Sequence, residues 1–178
     1  MKIYYLIILA AFIVISCSED ETSYDNDFNT LNNISIKEAV SLTNEWRTSK
    51  PKITSYVTTG ELIVKFPDGR EIKKALTTDE MYIAVAPYTN TTHECGTHYI
   101  SKCQAELGGR TFSLTVTELL GNFIFNGDVT GMNNGFFEIW LPRGKTFELN
   151  ISYNNLNVKD TITTNADSKT CITTMQLK

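Results

Sequence analysis

The chain has 178 residues, of which 42% are hydrophobic, and its formal net charge is −4. A chain of this length can bury one good core or two small domains, and its composition excludes a disordered or fibrous protein. The mild acidity and the absence of a Lys/Arg-rich segment argue against a nucleic-acid-binding protein. We therefore expect a folded protein whose function does not depend on nucleic acid.

The N-terminus has the features of an export signal. Lys2 precedes an unbroken apolar run over residues 3–15, which is shorter than the ~20 apolar residues that a membrane-spanning helix needs. A basic start, a short apolar stretch and a small residue before the cleavage point are typical of a secretory signal peptide. The sequence Val14-Ile15-Ser16-Cys17 resembles the bacterial lipobox, in which the cysteine is acylated. We predict a lipoprotein signal peptide over residues 1–17 with Cys17 as the lipidation site; plain cleavage is the alternative.

The stretch that follows Cys17 is acidic and polar. Residues 18–21 have the sequence Ser-Glu-Asp-Glu and lead into a polar segment that ends at Asn33. Such a composition is typical of a flexible linker, so residues 18–33 are predicted to be a tether. The acidic run also resembles the tag that sends some lipoproteins to the outer surface of the outer membrane; a solvated tether is the alternative. We expect an exported, membrane-anchored lipoprotein, on the periplasmic face or on the outer surface of the outer membrane.

The first predicted regular element is a helix over residues 35–48. Apolar residues recur at three- and four-residue intervals from Ile36 to Trp46, which is the pattern of an amphipathic helix. Ser35 and Glu38 have the spacing of a capping box, and a proline just beyond the helix prevents it from continuing.

A β-hairpin follows the helix. Residues 61–66 and 71–76 alternate in part between polar and apolar, and Asp68-Gly69 between them is typical of a tight turn. With the β-branched stretch over residues 53–58, these strands complete a helix–hairpin N-terminal domain over residues 34–80. One helix on a small sheet buries too little surface to be stable alone. We therefore expect it to pack on a second copy or on the following domain.

Residues 81–178 are predicted to form a β-rich domain, mainly an antiparallel sandwich or a barrel-like sheet. Strand patterns occur over residues 81–86, 111–117, 122–125, 135–141, 146–153, a short run near 158, and 170–177. The turn signals between them include Gly121 and Asn126-Gly127. By alternation, the inward-facing core residues are Phe112, Leu114, Val116, Phe147, Leu149 and Ile151. The fold class is therefore α+β, with a small helix–hairpin unit before the β-rich domain.

The residues with metal or redox chemistry gather in one short segment after the strand over residues 81–86. Both histidines of the chain, His93 and His98, alternate there with Cys95 and Cys103 in the pattern His-x-Cys-x2-His-x4-Cys. Apart from the lipobox cysteine, one cysteine remains, Cys171 near the C-terminus. Thiolate ligands select Cu(I), zinc or iron–sulfur clusters, and imidazole also suits Cu(II). These five residues are a candidate metal site that can accept copper in both oxidation states.

Three other interpretations of the cysteines stay open. In an exported protein, Cys95 and Cys103 can form a disulfide, which leaves Cys171 as an odd thiol and the histidines unexplained. A structural zinc site of three cysteines and one histidine is a competitor, although such sites usually contain paired C-x2-C knuckles. Thiol–disulfide exchange of the thioredoxin kind favours a C-x-x-C motif, which the chain lacks.

The thiols of this site can also donate electrons. Two thiolates that form a disulfide release two electrons, enough to reduce two Cu(II) ions, and the third thiol stays available as a ligand. Alternation in the last strand places Met175 on the same face as Cys171, so Met175 is either an auxiliary thioether ligand or a core residue. Glu94 and Glu106 flank the segment, where they either orient the histidines or are solvated.

Three motifs of the chain, taken in order, resemble the CueP family of periplasmic copper-binding proteins. They are Thr92-His93-Glu94-Cys95 with His98 and Cys103-Gln104-Ala105-Glu106, then Gly135-Phe136-Phe137-Glu138-Ile139-Trp140-Leu141-Pro142-Arg143-Gly144, then Thr170-Cys171-Ile172-Thr173-Thr174-Met175-Gln176-Leu177. The resemblance covers the chain from about Leu76 to the C-terminus, and the helix–hairpin part fits only in general. The order and spacing of Cys95, Cys103 and Cys171 match the three cysteines of that family.

The resemblance implies copper binding and thiol-dependent reduction of Cu(II) to Cu(I), for copper tolerance and for delivery to an acceptor protein in the envelope. The expected metal ligands are His93, Cys95, His98, Cys103 and Cys171, and the three cysteines are also the expected redox residues. A V-shaped homodimer is implied as well, similar in outline to disulfide isomerases of the DsbC kind, in which the N-terminal parts dimerise. The chain departs from the family pattern in its lipobox and in having only His93 ahead of Cys95.

Two further hypotheses stand beside a copper-binding, Cu(II)-reducing lipoprotein. One is a thiol–disulfide exchange protein of the envelope, which the DsbC-like dimer and the pair Cys95 and Cys103 suggest. The other is a non-catalytic structural module with one disulfide. Copper chemistry is the hypothesis that uses all three cysteines of the site and both histidines.

Overall fold

The structure is a computed structural model, and it describes residues 23–178. The predicted signal peptide, its lipidation site Cys17 and the start of the predicted tether lie outside the described residues. None of the helices in the described part of the chain has the length and apolar character needed to cross a membrane.

The described chain begins with two helices, α1 over Asp25–Asn33 and α2 over Ile36–Ser49. Helix α2 confirms the helix predicted over residues 35–48. The hydroxyl of its N-cap, Ser35, accepts a hydrogen bond from the Glu38 backbone N–H at 3.3 Å. The Glu38 carboxylate accepts one from the Ser35 backbone N–H at 2.8 Å, which completes the predicted capping box. The buried face of the helix consists of Ala39, Val40, Thr43 and Trp46.

Helix α1 lies in the stretch that was predicted to be a flexible tether. The structure differs from the prediction here, because residues 25–33 are helical and Leu31 is fully buried. Tyr24, Phe28 and Leu31 recur at helical spacing, and the rings of Tyr24 and Phe28 lie 6.1 and 5.5 Å from the ring of Phe66. The many Asp and Asn residues between them hide this apolar stripe in the sequence. Packing on Phe66 therefore orders a segment whose composition alone indicates a linker.

Within residues 23–178, ten strands form three sheets. The strands are β1 (Thr54–Val57), β2 (Glu61–Lys65), β3 (Glu71–Ala75), β4 (Glu80–Val85), β5 (Thr111–Glu118), β6 (Phe123–Thr130), β7 (Phe137–Pro142), β8 (Thr146–Tyr153), β9 (Leu156–Thr163) and β10 (Cys171–Ile172). The sheet orders are β1-β2-β3, β10-β4-β7 and β6-β5-β8-β9. Neighbouring strands are antiparallel except β10 and β4, which are parallel. The predicted α+β class is confirmed, and the described sheets do not close into a barrel.

Two details of the predicted strands are wrong. The signal at Asn126-Gly127 is not a turn, because β6 continues through it and Gly127 pairs with Leu114 of β5. The hairpin turns around the other predicted signal, Gly121, which has a φ of +96°. The last predicted strand is short, since only Cys171–Ile172 forms β10 and one isolated bridge joins Gln176 to Tyr88.

The central sheet, β10-β4-β7, has a hydrophobic core on each of its faces. Alternation along β4 directs Tyr82 and Ala84 to one core and Met81, Ile83 and Val85 to the other. This double burial explains why the sequence of β4 is a continuous apolar run. The second core contains the predicted inward stripes of β5 and β8, Phe112, Leu114, Val116, Phe147, Leu149 and Ile151.

The first core contains residues from both sides of the predicted boundary at residue 80. Leu31, Trp46 and Leu62 belong to the same buried cluster as Ile100 and Phe136. The helix–hairpin part therefore completes its core on the following part of its own chain. Cys103 and Cys171 are members of this first core, so the candidate metal site lies where the two parts meet.

Candidate metal centre

The candidate site lies in the long connection between β4 and β5. Two strands hold this connection in place. The His98 carbonyl accepts a hydrogen bond from the Val57 N–H at the end of β1, at 2.9 Å. The Gly96 carbonyl accepts one from the Thr170 N–H at 2.9 Å and one from the Cys171 N–H at 3.2 Å, at the start of β10. The connection is thus fixed between the N-terminal sheet and the central sheet.

Thr170 joins these three segments through its side chain. Its hydroxyl is buried, donates to the Val57 carbonyl at 2.7 Å and accepts from the His98 backbone N–H at 3.1 Å. A buried hydroxyl that is satisfied in both directions specifies one arrangement of its neighbours. Thr170 therefore sets the position of His98 relative to Cys171, the residue that follows it in the chain.

The structure brings the three cysteines of the site together. Cys95 and Cys171 form a disulfide with a Cα–Cα distance of 5.6 Å across a sequence separation of 76. Cys103 keeps its thiol, and its Sγ lies 3.8 Å from the Sγ of Cys95. The disulfide between Cys95 and Cys103 that the spacing suggested is not the one formed here. The backbone bonds from β10 to Gly96 place Cys171 beside Cys95, so the odd thiol is Cys103.

His98 is completely buried, and its ring lies against aromatic side chains. Ring centroids are 4.7 Å apart for His98 and Phe136, and 6.1 Å apart for His98 and Tyr82. Within the described residues, neither ring nitrogen has a hydrogen-bond partner. Burial, with a smaller repulsion from Arg47, lowers the pKa of His98 from its ordinary 6.5 to about 3. The imidazole is therefore neutral at physiological pH, which is the form that binds metals.

His93 has the opposite environment, because its side chain is exposed. It lines an open cleft of about 780 Å³ together with Cys95 and Cys103. Its ring centroid is 6.4 Å from that of Phe136, so both histidines lie near the same aromatic ring. His93 therefore presents the water-accessible side of the site, and His98 presents the buried side.

Cys103 lies between these two environments, with 9% of its surface exposed. Burial raises the pKa of its thiol, while the hydrogen bond with the Tyr99 backbone and the charge of Arg47 act in the opposite direction. Arg47 of α2 also donates from Nη2 to the Cys103 carbonyl at 3.2 Å and to Gln104 Oε1 at 2.6 Å. Helix α2 therefore positions the backbone that carries Cys103.

Two groups of three side chains have their ligand atoms close enough to hold a metal ion. The outer triad is His93, Cys95 and Cys103, and the inner triad is His98, Cys103 and Cys171. In each triad the ligand atoms lie within 4.8 Å of one another. Imidazole and thiolate ligands suit copper, and the unpartnered nitrogens of His98 are what a metal would satisfy. The donor set of the site fits copper.

Glu106 is exposed to solvent, as one of the two expectations had it, and it also has a structural role. Its carboxylate accepts hydrogen bonds from the backbone N–H groups of Thr89, Asn90 and Thr91 at 2.8, 2.9 and 3.2 Å. These bonds, with those from the Asn90 side chain, lower its pKa to about 2. Glu106 therefore fixes the turn that precedes His93 and does not contact a histidine, whereas Glu94 is exposed at the rim of the cleft.

Met175 is fully buried, but in the second core. Cys171 belongs to the first core, on the other face of the central sheet. The predicted alternation fails because β10 ends at Ile172, and the chain beyond it does not keep the strand geometry. Met175 is therefore a core residue and not an auxiliary ligand of this site.

Sequence patterns missed a polar network that backs the buried side of the site. The Tyr82 hydroxyl donates to Glu138 at 2.5 Å, and Asn44 of α2 donates to the same carboxylate oxygen at 2.8 Å. Burial raises the pKa of Glu138, and these two hydrogen bonds partly oppose that effect. The one available signal was a glutamate, Glu138, within the apolar run of β7. Arg47 and Thr170 were missed for the same reason, since single polar residues carry no motif.

Comparisons with known proteins agree with this geometry. The family model described as periplasmic copper-binding protein CueP matches residues 38–176. A solved structure described as the crystal structure of S.CueP matches with a TM-score of 0.78 and 29% sequence identity, over 85% of this chain and 94% of that chain. A search of the curated proteins found no match. Because the family model covers most of the chain, from α2 to the residues after β10, this protein belongs to the CueP family.

Proposed function

We propose that this protein binds copper in the bacterial envelope and reduces Cu(II) to Cu(I) with its thiols. The observation that carries the proposal is the meeting of three sulfur atoms at one place. Cys95 and Cys171 are joined as a disulfide, and the Cys103 sulfur lies 3.8 Å from that of Cys95. The description of the family as periplasmic and copper-binding supports copper as the metal and the periplasm as the compartment.

The Cys95–Cys171 disulfide supports a division of roles among the three thiols. Cys95 and Cys171 are the electron donors, because they are the pair that forms the disulfide. Two Cu(II) ions and two thiols give two Cu(I) ions, one disulfide and two protons, so electrons and charge balance. Cys103 keeps its thiol through this step and stays available as a copper ligand. Another reductant of the envelope must reduce the disulfide before a second turnover.

The histidines complete the donor set. His98 is buried and neutral, and His93 is exposed, so one imidazole is present on each side of the site. A zinc site of three cysteines and one histidine is the competitor. Oxidation of Cys95 and Cys171 removes two of its three thiolates, so such a zinc site would exist only in the reduced protein.

An anaerobic titration tests the proposal. Fully reduced mature protein receives Cu(II), and free thiols and Cu(I) are counted together with thiol and Cu(I) reagents. We expect two thiols lost and two Cu(I) formed per protein, with peptide mapping that finds the Cys95–Cys171 disulfide. Full retention of thiols after addition of Cu(II) contradicts the reductase proposal.

Two variants test in the same titration whether Cys95 and Cys171 are the electron donors. Cys171→Ser is expected to reduce Cu(II) more slowly than wild type, because only the alternative pair of Cys95 and Cys103, whose sulfur atoms lie 3.8 Å apart, remains. Met175→Leu is the matched control, since it removes a buried sulfur that lies in the second core, away from the site. Wild-type stoichiometry is expected for the control. Equal reduction by the two variants would show that the disulfide pair is not the electron donor.

The anchor of the protein is a second part of the proposal. The lipobox predicts that Cys17 is acylated, and a multiply acylated cysteine gives durable membrane attachment because each buried methylene contributes ~0.8 kcal/mol. The resulting lipoprotein faces the periplasm or the outer surface of the outer membrane. Metabolic labelling with a palmitate analogue tests it, with Cys17→Ser as the unlabelled control. A wild-type protein that carries no label contradicts the anchor.

The resemblance also supports a homodimer and an envelope protein that accepts the copper. Packing of the helix–hairpin part on its own chain removes one reason for the dimer, the lack of a core. The similarity to disulfide isomerases of the DsbC kind remains as its basis. Light scattering of the purified protein gives the mass directly, and a monomer at micromolar concentration contradicts the dimer.

Thiol–disulfide exchange is the second candidate function, and one observation favours it. A free thiol, Cys103, lies 3.8 Å from a sulfur of the Cys95–Cys171 disulfide, close to the position from which a thiolate attacks. An insulin-reduction assay tests for it. Activity that persists in a His93→Ala/His98→Ala double variant favours exchange, because exchange needs thiols but not imidazole ligands.

A further inference from the structure

The outer and inner triads share Cys103 and have the same donor set, one histidine and two cysteines, but they differ in burial. The outer triad adds the exposed His93 and the half-buried Cys95, and the inner triad adds the buried His98 and Cys171. Each triad also contains one of the two cysteines of the disulfide. A single site would not need two histidines in such different surroundings.

We propose that copper occupies the two triads in sequence: the outer triad captures Cu(II), the inner triad holds Cu(I), and Cys103 stays bound during the transfer. This inference rests on the proposed function, since it assigns a position to each oxidation state in that reaction. Cys103 can bind copper in both positions because it is the one residue common to both triads.

The outer triad suits Cu(II) because water reaches it. His93 is exposed and lines the open cleft, together with Glu94 and Gln104. A doubly charged ion is costly to remove from water, so an open position where it keeps some water ligands is favoured over a closed one. Imidazole and oxygen ligands are also those that Cu(II) accepts. Capture at this position needs no opening of the core.

The inner triad suits Cu(I) because it is buried away from water. His98 and Cys171 are each 0% exposed, and the aromatic rings of Phe136 and Tyr82 flank His98. A singly charged ion costs less to bury, and soft thiolates select Cu(I). The two ring nitrogens of His98 have no hydrogen-bond partner within residues 23–178, so a bound ion would satisfy one of them.

Burial gives this order its direction. When Cys95 and Cys171 form their bond, two Cu(II) ions each take one electron, and the two thiol protons pass to water. This step takes one cysteine from each triad, Cys95 from the outer and Cys171 from the inner, and leaves Cys103 with His93 or with His98. Of these two pairs, Cys103 with the buried His98 lies away from water, so the singly charged Cu(I) stays on that side. Release to an acceptor therefore follows reduction of the disulfide or an approach from outside to Cys103.

Nuclear magnetic resonance of the wild-type protein tests the inference directly. The chain has two histidines, so the imidazole nitrogens of ¹⁵N-labelled, reduced protein give four signals. We expect one equivalent of Cu(I), added without oxygen, to shift the nitrogens of His98 and to leave those of His93 unchanged. Shifts confined to His93, or equal shifts of both residues, overturn the inference. Failure of the wild type to bind Cu(I) overturns the proposed function as well, which separates the two results.

Two variants test the outer step by a different measurement. His93→Ala is expected to slow the loss of thiols on addition of Cu(II) while its affinity for Cu(I) stays unchanged. His98→Leu, which keeps an apolar side chain in the aromatic pocket, is expected to do the reverse. Each affected property is expected to fall by more than about tenfold, the loss that follows even from removal of a group supporting a ligand. Identical effects of the two variants on both measurements overturn the inference; circular dichroism confirms that each is folded.

Discussion

Thr170 shows how one hydroxyl can hold a site together. It bonds to the Val57 carbonyl and to the His98 N–H, and it precedes Cys171 in the chain. We expect Thr170→Val, which keeps the shape and removes the hydroxyl, to lower the free energy of unfolding by about 1–3 kcal/mol, because the buried N–H of His98 and carbonyl of Val57 lose a partner. Urea denaturation measures the change.

The matched control for this variant is Thr173→Val. Thr173 is also buried, but among the described residues its hydroxyl makes no hydrogen bond. We expect a change of less than half that of Thr170→Val. If the two variants have equal stability, the hydrogen bonds of Thr170 do not hold the segment in the way that the structure indicates.

The hydrogen bonds that the Glu106 carboxylate accepts indicate that the turn before His93 is sensitive to acid. The folded-state pKa, about 2, is below the ordinary 4.5 of a glutamate, so the carboxylate stabilises the fold above pH 4.5. That stability is lost as the pH falls from 4.5 through 2, since protonation removes the acceptor of the N–H groups of residues 89–91. Amide hydrogen exchange of residues 89–91 is expected to quicken over this range.

Glu106→Gln tests the same contact at neutral pH. We expect it to exchange the 89–91 amides faster than wild type, and to lose the acid dependence between pH 4.5 and 2. Glu94→Gln, an exposed glutamate at the rim of the cleft, is the control and is expected to behave like wild type. An unchanged pH profile in Glu106→Gln contradicts the assignment.

Sequence patterns located the candidate ligand residues but not their surroundings. The spacing of His93, Cys95, His98 and Cys103 is visible in the chain, and so is the separate Cys171. The sequence does not reveal that one histidine is buried and the other exposed, because both lie in an irregular connection without periodicity. The disulfide partner of Cys95 was equally hidden, since the contact between Cys95 and Cys171 depends on β10.

At the scale of elements, the tight approach between the connection and the turn before β7 is the feature that positions Cys103. Gly135 has a φ of +85°, and a Cβ added there would lie 2.8 Å from the Ala105 Cβ and 2.9 Å from the Ala105 backbone. The Ala105 N–H also donates to the Asn134 carbonyl at 2.7 Å. Only glycine allows both contacts, so this turn holds the segment that follows Cys103.

Gly135→Ala is therefore expected to destabilise the protein by about 1–3 kcal/mol and to displace the Cys103 segment, because of backbone strain and steric overlap. The measurements are urea denaturation and the rate at which a thiol reagent modifies Cys103, which we expect to rise. Gly60→Ala is the control, since an added Cβ there meets nothing within 4 Å. Equal stability of the two variants contradicts the close-packing account.

Elements with strong periodicity were predictable, and those that depend on tertiary packing were not. Helix α2 had a capping box and an apolar stripe, and the stripes of β5 and β8 alternate cleanly. Helix α1 was missed because its polar composition outweighs three apolar positions, two of which pack on Phe66. The turn signal at Asn126-Gly127 failed because pairing with β5 overrides local turn preference.

At the scale of the whole molecule, the Cys95–Cys171 disulfide links the connection to the last strand across 76 positions. Closing a loop of this length restricts the unfolded chain, so reduction is expected to lower the free energy of unfolding by about 4 kcal/mol. Denaturation with and without a reductant measures this. Cys103→Ser is expected to show the same dependence on the reductant, whereas Cys171→Ser is expected to show a smaller one, because a bond between Cys95 and Cys103 closes a much shorter loop. Stability that does not change on reduction of the wild type contradicts the assigned disulfide.

The architecture makes the candidate site depend on a strand near the C-terminus. The two cores share the central sheet, and the inner triad forms only when β10 joins β4 beside the connection. The candidate site therefore depends on both parts of the fold, from α2, which contacts the Cys103 backbone, to Cys171 in β10.

X-ray absorption at the copper K-edge tests the central claim most directly, because one spectrum reports both the oxidation state and the ligands. One equivalent of Cu(II) is added without oxygen to the fully reduced protein. We expect the absorption edge of Cu(I), with sulfur atoms and imidazole nitrogen as neighbours of the metal. An edge of Cu(II) with only oxygen and nitrogen neighbours would contradict it.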